Sequence, residues 1–130
     1  DDLDTRPANK VGDRVLSDNP KKRGSWQIIH TDIKLAAAHN PALKDISKYI
    51  GDLIKCGEQM RDLPKGAQRV AAFQKYTEVR EDIRQCSKEL LRQAESNDGF
   101  NNLQASLSLS KQYETLLSDI QNCDRECCRT

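Results

Sequence analysis

The sequence predicts an all-α protein, an antiparallel up-and-down four-helix bundle behind a flexible N-terminal arm. Three observations predict it. Apolar residues recur at three- and four-residue steps from Ser25 onward, short breaks bearing proline or glycine divide that stretch, and only one segment alternates as a strand would.

The arm covers residues 1–24. It holds Pro7, Gly12, Pro20 and Gly24, with only Leu3, Val11, Val15 and Leu16 as sizeable apolar groups. So little apolar surface does not offset the entropy of ordering the segment.

The bundle covers residues 25–130, with helices expected over about 25–39, 41–63, 67–96 and 99–127. In the first helix Trp26, Ile29, Ile33 and Ala36 or Ala37 form one stripe, and Ser25 is placed to cap the first turn. Asn40-Pro41 then reads as an N-cap followed by proline at the first helical position, where its missing N–H costs nothing. The second helix carries Leu43, Ile46, Ile50, Leu53, Gly57, Met60 and Leu63 in a nearly heptad seam, stopped by Pro64-Lys65-Gly66. The third carries Val70, Phe73, Tyr76, Val79, Ile83, Cys86, Leu90 and Ala94, and ends at Asn97-Asp98-Gly99.

The fourth helix follows with Phe100, Leu103, Leu107, Tyr113, Leu117, Ile120, Cys123 and Cys127. Within it Ser106-Leu107-Ser108-Leu109-Ser110 alternates with period two, but no second strand is present to pair with it. Because the last two helices overhang the short first one, a three-helix bundle with a loosely docked first helix is the alternative.

Composition excludes several classes. The 130 residues carry 21 Lys plus Arg against 20 Asp plus Glu, a formal charge of +1. No global field draws the chain to nucleic acid or anionic lipid, and no nucleic-acid partner is expected. The longest apolar run, Leu35-Ala36-Ala37-Ala38, falls far short of the ~20 residues that span a bilayer. The chain opens Asp1-Asp2 without an apolar leader, which suggests a processed product or an excised segment.

Five cysteines are the chemically distinctive residues: Cys56, Cys86, Cys123, Cys127 and Cys128. With a rise of ~1.5 Å per residue and turns near residues 65 and 98, Cys56 and Cys123 both come level with Phe73. A staple between them is therefore feasible, although a disulfide needs Cα atoms roughly 4.4–6.8 Å apart and helix axes pack at roughly 8–10 Å. Cys127 competes as partner. Closing that loop would constrain the unfolded chain by ~4 kcal/mol in the entropic description. Cys86 falls level with Ser110, about 20 Å along the bundle from Cys56, and reads as a buried free thiol. Cys127 and Cys128 remain as exposed thiols, as lipid attachment points, or as an intermolecular link that would make an oligomer.

Three thiols near the C-terminus do not make a zinc site, which takes four ligands at characteristic paired spacing. His30 and His39, both in the first helix, offer no base near a cysteine nucleophile. With no phosphate loop or nucleophile elbow either, no catalytic residue, metal or cofactor is expected.

Two charge patterns remain. Arg80, Arg84, Lys88 and Arg92 repeat every four residues, a spacing at which like charges cost helix stability. An anionic partner would relieve the repulsion, as would Glu81 reaching Arg84 and Glu89 reaching Arg92. Lys21-Lys22-Arg23 reads as a furin-type processing site, a nuclear import fragment or a solvated charge run.

Together these features point to a secreted, disulfide-containing, non-enzymatic bundle that binds a protein or cell-surface partner, as a toxin, effector or ligand does. The competing reading is an intracellular, cytoplasmic adaptor or assembly subunit with reduced cysteines.

Overall fold

The computed structural model describes residues 6–17, 25–95 and 118–124. Among them the secondary structure is entirely helical: α1 (Arg6–Val15), α2 (Trp26–His39), a 3-10 turn (Pro41–Leu43), α3 (Lys44–Asp62) and α4 (Ala67–Glu95). Residues 118–124, called α5, are also helical.

Local chemistry sets the boundaries. The Ser25 carbonyl accepts the first bond of α2 from the Ile29 amide at 3.0 Å. At its other end the Asn40 backbone turns to an extended conformation, and its amide donates to Ala36. The Asn40 side chain then accepts from the Ala42 amide at 3.1 Å, and Pro41 begins the 3-10 turn that leads into α3. Between α3 and α4, Gly66 adopts φ +144°, a conformation that only glycine tolerates without strain. Its carbonyl accepts from the Arg69 and Val70 amides, which starts α4.

α3 is the central element. It packs most extensively on α4, and also on α1 and α2. Ile46, Ile50, Leu53 and Met60 are fully enclosed along it, with Leu43, Cys56 and Gly57 buried in the same seam. α2 contributes Trp26, Ile29, Ile33 and Ala37, and α4 contributes Tyr76, Val79, Ile83 and Leu90. Residue order shows α4 antiparallel to α3: Lys75 lies near Cys56, and Asp45 near Cys86. α2 folds back on α3 through the Asn40 turn, which lays His30 over Gly51.

The N-terminal segment corrects the sequence reading. Residues 6–15 of the expected flexible arm form α1, with Ala8, Val11 and Val15 buried in the common core. Counting large apolar side chains missed this, because Val11 and Val15 are too few on their own and the contact is completed by Ala8 and Gly12, which such a count omits. Gly12 and Gly57 bring the two backbones together, so Val11 and Val15 reach the core from a short helix. Pro7 falls in the first turn of α1, where its lack of an N–H is harmless.

The capping expectation at Ser25 is also corrected. Its hydroxyl makes no capping bond, and Ser25 Oγ is buried without a hydrogen-bond partner. The period-two stretch at 106–110 lies outside the described residues.

Candidate functional site

The third-helix charge stripe acquires a partner from the far end of the chain. Arg80 and Arg84 lie one turn apart on α4, and both reach Asp124 of α5. Arg80 Nε donates to Asp124 Oδ1, and Arg80 Nη2 donates to the Asp124 main-chain carbonyl at 3.4 Å. Arg84 Nε donates to Asp124 Oδ2 at 3.0 Å, with Arg84 Nη2 at 2.9 Å from the same oxygen. Each carboxylate oxygen thus receives a different guanidinium through charge-assisted hydrogen bonds, which are stronger than neutral ones. The Asp124 and Arg80 side chains keep only 14% and 17% of their exposure, so water screens the pair weakly.

The remaining members of the stripe are served locally. Arg92 pairs with Glu89 at 2.5 Å, and Arg84 Nη1 lies 3.7 Å from Glu81, so both expected three-residue pairs are present. The Glu81 carboxyl is held below its usual range, first by the hydrogen bond from Gln85 at 2.8 Å and then by nearby Arg84 and Lys88. Lys88 is exposed beyond them.

The cysteine expectations change. Cys56, Cys86 and Cys123 are all free thiols. The expected Cys56–Cys123 staple is absent, and the two cysteines have different neighbours on α4. Cys56 lies near Lys75, whereas Cys123 precedes the residue held between Arg80 and Arg84. Those neighbours lie about five to nine residues apart on α4, or roughly 8–14 Å along the helix, and the two thiols are not bonded. Cys56 and Cys123 are buried, while Cys86 is only partly covered. Burial pushes the Cys56 thiol up, against the opposing pull of Lys75. It pushes up Cys86 as well, where Asp45 and Glu89 add to it. Cys127, Cys128 and the Lys21-Lys22-Arg23 run lie outside the described residues.

His30 is half-buried on α2, and its Nε2 stands 3.1 Å from where a Cβ on Gly51 would be. Burial, and then the charge of Lys34, hold its pKa below the ordinary value. His39 is exposed at the end of α2. Among the described residues no group of three or more His, Cys, Asp or Glu side chains is arranged to hold a metal ion, and no helix is long and apolar enough to cross a membrane.

Two features escaped the sequence reading. Like charges repeating at four-residue spacing did signal an anion, but nothing singled out Asp124 among 20 acidic residues. The second is a pair of exposed apolar side chains on α2, Ile28 at 41% and Leu35 at 67% exposure. Lying seven residues apart, they share one helical face, opposite the buried stripe of Trp26, Ile29, Ile33 and Ala37.

No protein-family model, curated protein or solved structure matches the chain.

Proposed function

We propose that this chain is a non-enzymatic helical bundle with up-and-down helices that works by binding a protein partner through the outer face of α2. The observation that carries the reading is the exposure of Ile28 and Leu35 on one face of α2. Two large aliphatic groups about 10 Å apart along a helix suit a partner that covers both with an apolar surface, as in helix-to-groove recognition. The opposite face of α2 anchors it to α3, so the binding face is held on a supported element rather than a loop.

A photo-crosslinking residue at position 28 or 35 tests this in extracts of the source cells. A crosslinked partner lost in an Ile28→Asp/Leu35→Asp chain that keeps its helical content supports the reading. Equal crosslinking from a probe at Lys48, on another exposed surface, contradicts it.

Compartment divides the reading in two. A secreted ligand, toxin or effector is supported by the tribasic Lys21-Lys22-Arg23. An intracellular adaptor is supported by the three unlinked thiols, which suit a reducing environment. Intact mass after alkylation, with and without reductant, separates them. Protein made under oxidising conditions that contains no disulfide removes the secreted form of the proposal.

A further inference from the structure

Arg80 and Arg84 treat Asp124 as a peptide ligand. They take both oxygens of its carboxylate, and Arg80 also takes the main-chain carbonyl of the same residue. Side-chain acid plus backbone carbonyl is the signature of an acidic peptide residue, which a free anion such as phosphate lacks.

α5 brings two buried apolar groups to the core among its described residues, Ile120 and Cys123. Among the described residues of α5, the Asp124 ion pair joins these two groups in holding it to the rest of the fold. If α5 lifts away, Arg80 and Arg84, one turn apart, lose the anion they share, and Arg84 keeps Glu81 at 3.7 Å beside exposed Lys88. Like charges at that spacing repel, and the helix surface then favours a new anion.

We propose that the Arg80–Arg84 pair is a binding site for acidic peptide segments, latched shut by the chain's own Asp124. Release of α5 opens the site to a carboxylate-rich segment of a partner. An incoming acidic segment, in turn, displaces α5 and uncovers Cys123, which is 2% exposed when the latch is closed. The two events are reciprocal, because one site cannot hold both ligands. This surface is distinct from the α2 face, and the inference stands or falls independently of the reading above.

The test uses the full chain and a fluorescein-labelled oligoglutamate peptide. In fluorescence anisotropy, Asp124→Asn is expected to bind the peptide at least about fivefold more tightly than the parent, the lower end of usual coupling between sites. Asp119→Asn, which makes the same change in net charge on the same helix, is expected to leave binding near the parent value. Adding Arg80→Gln and Arg84→Gln to Asp124→Asn is expected to erase the gain.

Because Asp124→Asn also disturbs the fold's own packing, a second measurement uses the unaltered chain. Alkylation of Cys123, located by peptide mass, is expected to accelerate as oligoglutamate is added, while Cys56 stays slow. The proposal is overturned if Asp124→Asn binds no better than Asp119→Asn, if the gain survives loss of both arginines, or if saturating peptide leaves Cys123 protected. Equal binding of oligoglutamate and inorganic tripolyphosphate also overturns the peptide assignment in favour of a simple anion site.

Discussion

Gly12 rests against Gly57 so closely that a Cβ on Gly12 would stand 2.8 Å from the Gly57 carbonyl oxygen. It would also lie 3.0 Å from the Arg61 amide nitrogen. Both are backbone atoms inside α3, and neither can yield without breaking helical geometry. Gly12 costs α1 some helix propensity, about 1 kcal/mol relative to alanine, and the close approach to α3 offsets it.

Gly12→Ala is therefore expected to destabilise the protein by about 1–3 kcal/mol, the usual range for forced overpacking. Gly57→Ala should behave alike, since its Cβ would lie 2.7 Å from Val15 Cγ1. Gly51→Ala is expected to differ in sign. Its Cβ meets only the far end of His30, at 3.1 Å, and the propensity gained on α3 makes the change neutral or stabilising by up to ~1 kcal/mol. Urea denaturation of the three variants checks the order.

The central position of α3 makes its seam the costliest place to truncate. Ile50→Ala and Leu53→Ala, both fully enclosed, are expected to lose about 2–5 kcal/mol through lost transfer energy and residual cavity. Leu35→Ala, on the exposed face of α2, is expected to change stability by less than about 0.5 kcal/mol. Denaturant midpoints of the three variants make the comparison, and a Leu35→Ala loss similar to the other two would mean that α2 buries a second face.

Thiol reactivity should follow cover. Cys86, partly exposed, is expected to react with a small disulfide reagent before Cys56 and Cys123, which are buried. Burial raises the folded pKa of both Cys56 and Cys86. Between their ordinary value near 9.0 and the higher folded values, the unfolded chain has already lost protons that the folded chain keeps. The stability contributed by the neutral thiols is thus complete below about pH 9 and declines as pH rises through that window. Denaturation midpoints from pH 8 upward, compared with a Cys56→Ala/Cys86→Ala chain, report it.

His30 gives the opposite slope. Its folded pKa lies below the ordinary 6.5 because of burial and then Lys34. As pH falls below about 6.5 the unfolded chain takes up a proton that folded His30 resists, so stability declines on acidification. His30→Gln is expected to flatten that part of the profile, measured by thermal melting between pH 7 and 5. An unchanged slope would mean that His30 is not covered by α3.

Much of this architecture was legible because large apolar residues mark their own periodicity. The seam Leu43, Ile46, Ile50, Leu53, Gly57, Met60 was readable in order, and Asn40-Pro41 announced both the break and its cap. α1 was not legible, because Val11 and Val15 alone are a thin apolar signal, and the glycine and alanine that complete the contact show their value only when another backbone is beside them. The cysteine register failed for a related reason. Heights counted from assumed turns accumulate error over many residues, whereas the Asp124 contact places the end of α5 beside Arg80 and Arg84. The stripe on α4 announced a need for negative charge, but only the fold identifies Asp124 as the residue that meets it.

That register is also where the account is most exposed to test. Removing the salt bridge through Asp124→Asn is expected to cost about 1–3 kcal/mol, as for hydrogen bonds to charged groups, but a cost alone does not report position. Catalysed oxidation of the folded chain, followed by disulfide mapping, does. With Cys56 near Lys75 and Cys123 beside the Arg80–Asp124–Arg84 contact, no peptide joining Cys56 to Cys123 should form while the helices remain folded. A high-yield Cys56–Cys123 linkage in protein that keeps its helical content would contradict the docking of α5 on Arg80 and Arg84.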